Sequence, residues 1–224
     1  MKQKIYKILF LIGFGFISLS CIAIIGYRII PPPITPIMII KWMDGNRIQK
    51  HWVDERQISP YVFQAVIASE DNNFCHHIGF DISALKQAWA HNKKSDTVHG
   101  ASTITMQTAK NLFLWPDRTY IRKIIEAYFT VGLEFFLSKQ RIILLYLNII
   151  EWGNGIYGIE MAAQNYFHKS AQYLNLHEAS WLAAILPNPI YYANLPFDYL
   201  SDKIYMIEKR ISSLFSNNQL SCYK

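Results

Sequence analysis

Residues 59–81 read SPYVFQAVIASEDNNFCHHIGFD. Ser59 and Pro60 form a favourable N-cap and first-turn pair, so they predict the start of a helix. The Ala- and Val-containing stretch that follows predicts a core helix running into Glu70 and Asp71. A glutamate that is partly desolvated at such a helix end has a raised pKa, which suits a general base. Solvated acids at helix ends are also common, so this stretch alone leaves both interpretations open.

Helical patterns dominate the rest of the chain beyond residue 59. Asn175 with Glu178 resembles a capping box, and a last helix from Ser201 is expected to bury one apolar stripe. Alternation of apolar residues is limited to 37–53, which predicts a short strand or extended arm there. The predicted fold class is mainly α. Further helices are expected after Asp117, after Ser138 and within 156–167.

The N-terminal segment has the length and composition of a membrane span. Twenty uncharged residues lie between Lys7 and Arg28, and at ~1.5 Å per residue a helix of that length crosses roughly 30 Å. A cleaved signal peptide or a lipoprotein modified at Cys21 are the alternatives, but the apolar run is long and has no small-residue cleavage pattern. The predicted division is a cytoplasmic tail 1–7, a transmembrane helix 8–30, a Pro-rich spacer and extended arm 31–50, and an exported domain 51–224.

Charge and cysteine content exclude several classes of protein. The net charge is +6, but four basic residues and no acid lie within residues 1–31, which leaves only +2 for the rest. A basic surface for nucleic acid is therefore not predicted. The three cysteines, Cys21, Cys75 and Cys222, indicate neither a disulfide framework nor a zinc site. A bridge between Cys75 and Cys222 stays open for an exported domain.

Two further stretches carry polar groups of catalytic or binding character. Residues 99–113, HGASTITMQTAKNLF, offer small hydrogen-bond donors for phosphate or sugar, or for capping the next helix. In 117–129, Arg118, Arg122 and Glu126 share one helix face. That face is either a surface ion-pair ladder or a row of cations beside a carboxylate, as a pyrophosphate would require. His76 and His77 are interpreted as structural or surface histidines rather than metal ligands.

Taken in order, these stretches resemble glycosyltransferase family 51, the peptidoglycan polymerases, and within it the monofunctional biosynthetic form. The resemblance covers residues 52–192. The matching positions are Glu70, Asp71, Phe74, His77, Gly79, Asp81, Gly100, Ser102, Thr103, Ile104, Thr105, Gln107, Lys110, Asn111, Arg122, Lys123, Glu126, 146–148, Ala162, Ala163, Tyr166 and Phe167. The chain departs from the pattern at Ala101 and Met106, and it lacks an acid that relatives often carry between Lys139 and Tyr146.

The resemblance implies a lysozyme-like helical lobe and a small membrane-facing lobe near residues 82–98. It implies Glu70 as the general base and Glu126 as the second catalytic carboxylate. It also implies a divalent cation, Mg²⁺ or Mn²⁺, with Asp71 the nearest candidate ligand, and no organic cofactor. The substrate-binding residues expected from the resemblance and the cationic stretch are Ser102, Thr103, Gln107, Lys110, Asn111, Arg118, Arg122 and Lys123, of which Lys110 and Arg118 would hold the pyrophosphate.

The implied activity is inverting polymerisation of lipid II into glycan strands, with release of undecaprenyl pyrophosphate. The implied partners are lipid II, the growing lipid-linked glycan, the membrane and other cell-wall synthesis proteins, and no nucleic acid. The implied location is the bacterial inner membrane, crossed once, with the catalytic domain in the periplasm. Two rivals are a lysozyme-like enzyme that cleaves peptidoglycan and an inactive membrane-tethered scaffold, although the intact Glu70 and Glu126 argue against the latter.

Overall fold

A computed structural model describes residues 2–94, 100–117, 119–216 and 219–222. Eleven α-helices and three short strands account for most of these residues, which confirms the mainly α prediction. The helices are α1 Lys2–Gly26, α2 Pro36–Met43, α3 Pro60–Glu70, α4 Ile82–Asn92, α5 Ile104–Phe113, α6 Tyr120–Phe136, α7 Lys139–Ile149, α8 Ile159–Phe167, α9 Leu176–Ile185, α10 Pro189–Tyr192 and α11 Ser201–Ser216; the strands are β1 Gln49–Lys50, β2 Glu151–Gly153 and β3 Ile156–Tyr157.

Helix α3 lies at the centre of the core, where it packs against α9, and α11 covers both helices. Phe63, Val66 and Ile67 of α3 are fully buried. Helix α5 packs in a second layer between α6 and α7. Burying an aliphatic or aromatic side chain stabilises the fold by about 1.5–3 kcal/mol. The C-terminal end of α3 and the length of α5 are therefore held rigidly, and both carry polar residues of the predicted site.

Several helix boundaries follow from the local sequence as predicted. The side chain of Ser138 caps α7, and Asn175 with Glu178 forms the predicted capping box at the start of α9. Helix α6 begins after Thr119, whose hydroxyl accepts from the Arg122 N–H. The apolar stripe of α11 is buried as expected, through Ile204, Ile207, Ile211 and Leu214.

The segment after the N-terminal helix differs from its prediction. An extended arm was predicted over 31–50, yet residues 36–43 form α2, so the prediction is wrong for these residues. The Thr35 hydroxyl caps this helix, Pro36 occupies its first turn, and Ile37 and Met38 are buried against the domain. The apolar alternation therefore belongs to a short helix whose packing overrides the local pattern. Extended structure is confined to β1, which pairs in parallel with β3.

Helix α1 is the one described helix that is long and apolar enough to span a membrane. Its second half packs along α6, with the Phe16 ring centroid 5.6 Å from that of Tyr128 and 6.2 Å from that of Phe129. Gly132 permits this approach, because a Cβ there would lie 2.7 Å from Ile24 Cδ1. Phe129 and Leu133 of α6 face the core, but much of its apolar pattern does not. Its outer face exposes large apolar side chains, which are Tyr120, Ile121, Ile124, Val131 and Phe135.

A disulfide joins Cys75, in the loop after α3, to Cys222 near the C-terminus, with 5.3 Å between their Cα atoms. The sequence left this bridge open. Cys21 in α1 is a free cysteine. The bridge closes a loop across a separation of 147 residues, and it fastens the end of the chain to the segment that follows Glu70.

The loop 71–81 is fitted tightly against α6 at Gly79. This glycine has a φ of +78°, and an added Cβ would lie 2.7 Å from Thr130 Cγ2. We expect Gly79→Ala to lower the free energy of unfolding by about 2 kcal/mol more than Gly45→Ala. Gly45 is a matched control, because its φ is +88° and its surroundings are open. Chemical unfolding in detergent followed by circular dichroism measures both, and equal losses would contradict the tight fit.

Candidate active site

Glu70 stands at the C-terminal end of α3, and α5 supplies its hydrogen-bond partner. Gln107 Nε2 donates to Glu70 Oε2 over 2.8 Å, and the Tyr146 hydroxyl donates to Gln107 Oε1 over 3.2 Å. Ser69, which precedes Glu70, donates a hydrogen bond from its hydroxyl to the Ala183 carbonyl over 3.1 Å. This chain of hydrogen bonds fixes both the glutamate and the orientation of the amide beside it.

Burial raises the pKa of Glu70 above its ordinary value of 4.5. The hydrogen bond from Gln107 and the positive charges of Lys203 and Lys110 oppose this rise, while the negative charge of Asp71 adds to it. Desolvation is the largest of these effects, because an ionised carboxylate loses its hydration when buried. A carboxylate with a raised pKa holds a proton more strongly, and of the two interpretations that the sequence left open this environment favours the desolvated glutamate.

Glu126 lies on the inner face of α6, where two cations hold it. It is only 2% exposed, and it forms ion pairs with Arg122 and Lys123. Arg122 is itself buried, whereas Lys123 is more open and also donates to Ser102 Oγ over 3.0 Å. Arg122 and Glu126 of the predicted row therefore form a buried ion pair, which Lys123 joins from a more open position, and they are not a solvated surface ladder.

Lys110 lies one turn after Gln107 on α5 and interacts electrostatically with both carboxylates. Desolvation lowers its pKa, as do Arg122 and Lys123, while Glu126 and Glu70 raise it. Within the described ranges its ammonium forms no hydrogen bond or ion pair, unlike the two cations that hold Glu126. A cation placed in this way is available to bind an anionic group from outside the protein.

Two adjoining cavities open along this arrangement. The first, called here the cation-lined cavity, has a volume of about 440 Å³. The second, called here the amide-lined cavity, has a volume of about 460 Å³ and borders Glu70. Ser102 lines both, so the two cavities meet at this residue. The cation-lined cavity is bordered by Ser102, Gln107, Lys110, Arg122, Lys123 and Glu126, and the amide-lined cavity by Glu70, Asn72, Asn73, Gln87, Ser102 and Gln219.

The structure thus brings most of the predicted site residues together. Asn111 lines the cation-lined cavity and donates its side-chain amide to the Gln107 carbonyl over 2.8 Å. Thr103 borders the amide-lined cavity but is only 3% exposed. Its hydroxyl donates to the Gly79 carbonyl over 2.6 Å and accepts from the Met106 N–H, so it mainly caps α5. Arg118 lies outside the described residues.

Asp71 ties the end of α3 to the start of α5. Its carboxylate accepts from the Ile104 N–H over 3.0 Å and lies 2.9 and 3.0 Å from His77 Nε2. Both residues are buried, so His77 has a structural role, while His76 is exposed. Both oxygens of Asp71 are engaged, and no group of three potential ligands occurs among the described residues. The surroundings of Asp71 therefore do not fit a metal site.

Other residues at the site gave no signal in the sequence. Lys41 of α2 lines the cation-lined cavity and forms an ion pair with Glu151, 110 residues away. Lys203 of α11 donates to the Ala184 carbonyl over 2.7 Å and acts on the charge of Glu70. Met106, where the chain departs from the family pattern, is buried, so its loss of polar groups does not reach the cavities.

Replacing Arg122 tests whether Glu126 depends on its buried partner. We expect Arg122→Met to lower the free energy of unfolding by about 3 kcal/mol, because a buried carboxylate then loses its closest buried cation. Lys123→Met is the matched control, and its loss is expected below about 1 kcal/mol because Lys123 is 43% exposed. Urea unfolding in detergent measures both. Equal losses, or none, would contradict the buried cluster.

Comparisons with known proteins identify the family of this chain. The family model described as Transglycosylase matches residues 38–211. A biosynthetic peptidoglycan transglycosylase of Caulobacter vibrioides is 44% identical over 202 residues, covering 90% of this chain and 88% of the relative. Proteins of the same name from Salmonella newport and Salmonella typhi are 44% and 43% identical over 209 residues, covering 87% of this chain and 86% of each relative. The chain therefore belongs to the transglycosylase family, with its mainly α, lysozyme-like fold and an N-terminal apolar helix.

Proposed function

We propose that this chain polymerises lipid II into peptidoglycan glycan strands and releases undecaprenyl pyrophosphate. One observation carries the proposal: Lys110, which has no partner among the described residues, lies within electrostatic reach of two buried carboxylates, Glu70 and Glu126. A base and a cationic cavity are what sugar transfer from a pyrophosphate requires. The relatives named above carry the matching name, biosynthetic peptidoglycan transglycosylase.

Glu70 acts as the general base in this reaction. The acceptor sugar lies in the amide-lined cavity, and its hydroxyl gives its proton to Glu70 as the oxygen forms a bond to the donor's anomeric carbon. The bond from that carbon to the pyrophosphate breaks at the same time, on the opposite face, so the configuration inverts. The raised pKa of Glu70 improves proton transfer, since a base works best when its pKa approaches the working pH.

The cation-lined cavity stabilises the departing pyrophosphate. Lys110 faces the charge that develops, and Arg122 and Lys123 add to the positive field. Glu126 keeps these two cations in place through its ion pairs, so they need no reorganisation during the reaction. Preorganised charges of this kind are worth about 10²–10³ in rate for a single group.

A lysozyme-like cleaving enzyme is the second candidate, because a glutamate with a raised pKa could also serve as a general acid. Hydrolysis of a finished glycan has a sugar hydroxyl as the leaving group and gains little from a cationic cavity. The three cations around Glu126 therefore favour a pyrophosphate leaving group. Incubation with finished glycan strands distinguishes the two, since the proposed polymerase leaves them intact.

The packing of α1 supports a domain that sits partly within the bilayer. If α1 spans the membrane, its second half lies at membrane depth, and α6 beside it shares that depth. The exposed apolar face of α6 would then contact lipid, while its inner face carries Glu126. Helix α4 has no buried residue and exposes Trp89, which suits the small membrane-facing lobe. A lipid-linked substrate could then enter from the membrane without leaving it.

The proposed location is the bacterial inner membrane, with the domain in the periplasm. Lys2, Lys4 and Lys7 before the apolar run favour a cytoplasmic N-terminus. The disulfide between Cys75 and Cys222 supports an oxidising compartment for the domain. Contacts with other cell-wall synthesis proteins, and use of a divalent cation, stay predictions.

Replacing the proposed base Glu70 and the cation Lys110 tests the proposal. We expect Glu70→Gln and Lys110→Met each to lower the rate of lipid II polymerisation by about 10²–10³. The first removes the base, and the second removes the cation that stabilises the charge on the leaving group. Lys209→Met, on the exposed face of α11, is the matched control and should keep the wild-type rate. Gel analysis of labelled glycan strands gives the rates. Near-normal activity of Glu70→Gln would exclude this mechanism.

The raised pKa of Glu70 predicts the acid limb of the pH profile. The base must be ionised, so kcat/KM should fall on the acid side with an apparent pKa above 4.5. The charge of Lys203 lowers the pKa of Glu70, so Lys203→Met should move the limb to higher pH, while Lys203→Arg should leave it nearly unchanged. Rates between pH 4 and 8 measure the shift, and identical profiles would contradict the electrostatic role.

A further inference from the structure

Residues 219–222, called here the C-terminal segment, are fastened to the domain at several points. The Gln219 N–H donates to the Leu214 carbonyl at the end of α11 over 3.0 Å. Leu220 is 4% exposed and belongs to the hydrophobic core. Cys222 is joined to Cys75, and its N–H donates to Cys75 Sγ over 3.3 Å. The position of this segment is thus set by packing, by hydrogen bonds and by a covalent bond.

This fastening places Gln219 in the wall of the amide-lined cavity, which also contains Glu70. The side chain of Gln219 is half-exposed and makes no hydrogen bond within the described part of the chain. Asn72, Asn73 and Gln87 border the same cavity. A wall rich in side-chain amides offers paired donors and acceptors, which match the hydroxyl and acetamido groups of an amino sugar.

The C-terminal segment lies beyond the part of the chain that the family model covers, which ends at residue 211. The bridge to Cys75 and the burial of Leu220 hold the segment beside the cavity. Cys75 is in the loop that follows Glu70, so the bridge ties the segment to the part of the chain that carries the base.

We propose that Gln219 binds the amino sugar of the acceptor and that the Cys75–Cys222 bridge holds it in the cavity for this purpose. The inference rests on the proposed function, since it assigns the acceptor to the amide-lined cavity. Gln219 carries no charge and lies apart from the pyrophosphate cations. Its hydrogen bonds form on binding and persist through the reaction, so they lower KM for the acceptor and leave kcat nearly unchanged.

The test separates donor from acceptor. A labelled lipid-linked oligosaccharide, blocked at the hydroxyl that would accept, serves as the donor at saturating concentration, and unlabelled lipid II is varied as the acceptor. The first labelled coupling product gives the rate. Gln219→Ala should raise the acceptor KM about 3- to 10-fold, the loss expected for one or two neutral hydrogen bonds, with kcat within about twofold of wild type. Gln172→Ala, an exposed glutamine away from both cavities, is the matched control.

The bridge is tested with the double variant Cys75→Ser/Cys222→Ser. It should raise the acceptor KM to a similar extent. Adding Gln219→Ala to this variant should cause no further rise, because without the bridge Gln219 is no longer held in the cavity wall. Thermal unfolding of each variant confirms that it is folded, and Gln219→Ala should keep the wild-type midpoint.

The outcomes are distinguishable. An unchanged acceptor KM in Gln219→Ala, with an active wild-type enzyme, overturns the inference and leaves the proposed function intact. A fall in kcat with KM unchanged also overturns it, since the residue would then act in the chemical step. A wild-type enzyme that couples no donor to acceptor overturns the proposed function together with the inference.

Discussion

The structure depends on the placement of buried charge around helix α5. Gln107 and Lys110 lie one turn apart on this helix, and they reach carboxylates that belong to two other helices, α3 and α6. An unpaired charge in a protein interior is costly, so each of these groups persists only because its neighbours hold it. Gln107 holds Glu70, and Arg122 with Lys123 holds Glu126. Glu126 and Glu70 attract the charge of Lys110, which forms no hydrogen bond or ion pair with the described residues, so the proposed mechanism assigns it to the substrate.

The two faces of helix α6 differ in polarity, which suits the proposed position of the domain beside a membrane. The inner face contributes a carboxylate and two cations to the site, and the outer face is apolar and exposed. Phe16 of α1 packs against this helix, which gives the outer face a neighbour that is itself long enough to span a bilayer. Under the proposed membrane placement, one helix thickness, about 10 Å, would separate the site from lipid. A substrate with a lipid tail and a pyrophosphate head needs both environments close together.

The sequence predicted those features that depend on residues within one or two helical turns of each other. The caps of α7 and α9, the buried stripe of α11 and the position of Glu70 at a helix end followed from neighbouring residues. Ser59 precedes α3 as predicted, but its side chain makes no capping hydrogen bond. Contacts between distant segments had no such signal: the pairing of Lys41 with Glu151, the bridge of Cys75 to Cys222 and the action of Lys203 on Glu70 join positions more than 100 residues apart. Helix α2 was missed although Thr35 caps it and Pro36 occupies its first turn, because the apolar alternation of this segment favoured extended structure. The helical pattern of α6 did not distinguish core from surface, since Phe129 is buried whereas Ile121 and Ile124 are exposed.

A crystal structure with a lipid-pyrophosphate disaccharide whose reacting hydroxyl is blocked tests the central claim most directly. We expect its pyrophosphate in the cation-lined cavity, in contact with the Lys110 ammonium, and its anomeric carbon on the side that faces Glu70. Glu126 should keep its ion pairs with Arg122 and Lys123 in that complex. A pyrophosphate bound away from Lys110, or a sugar that leaves Glu70 and Glu126 on the same side of the anomeric carbon, would contradict the account.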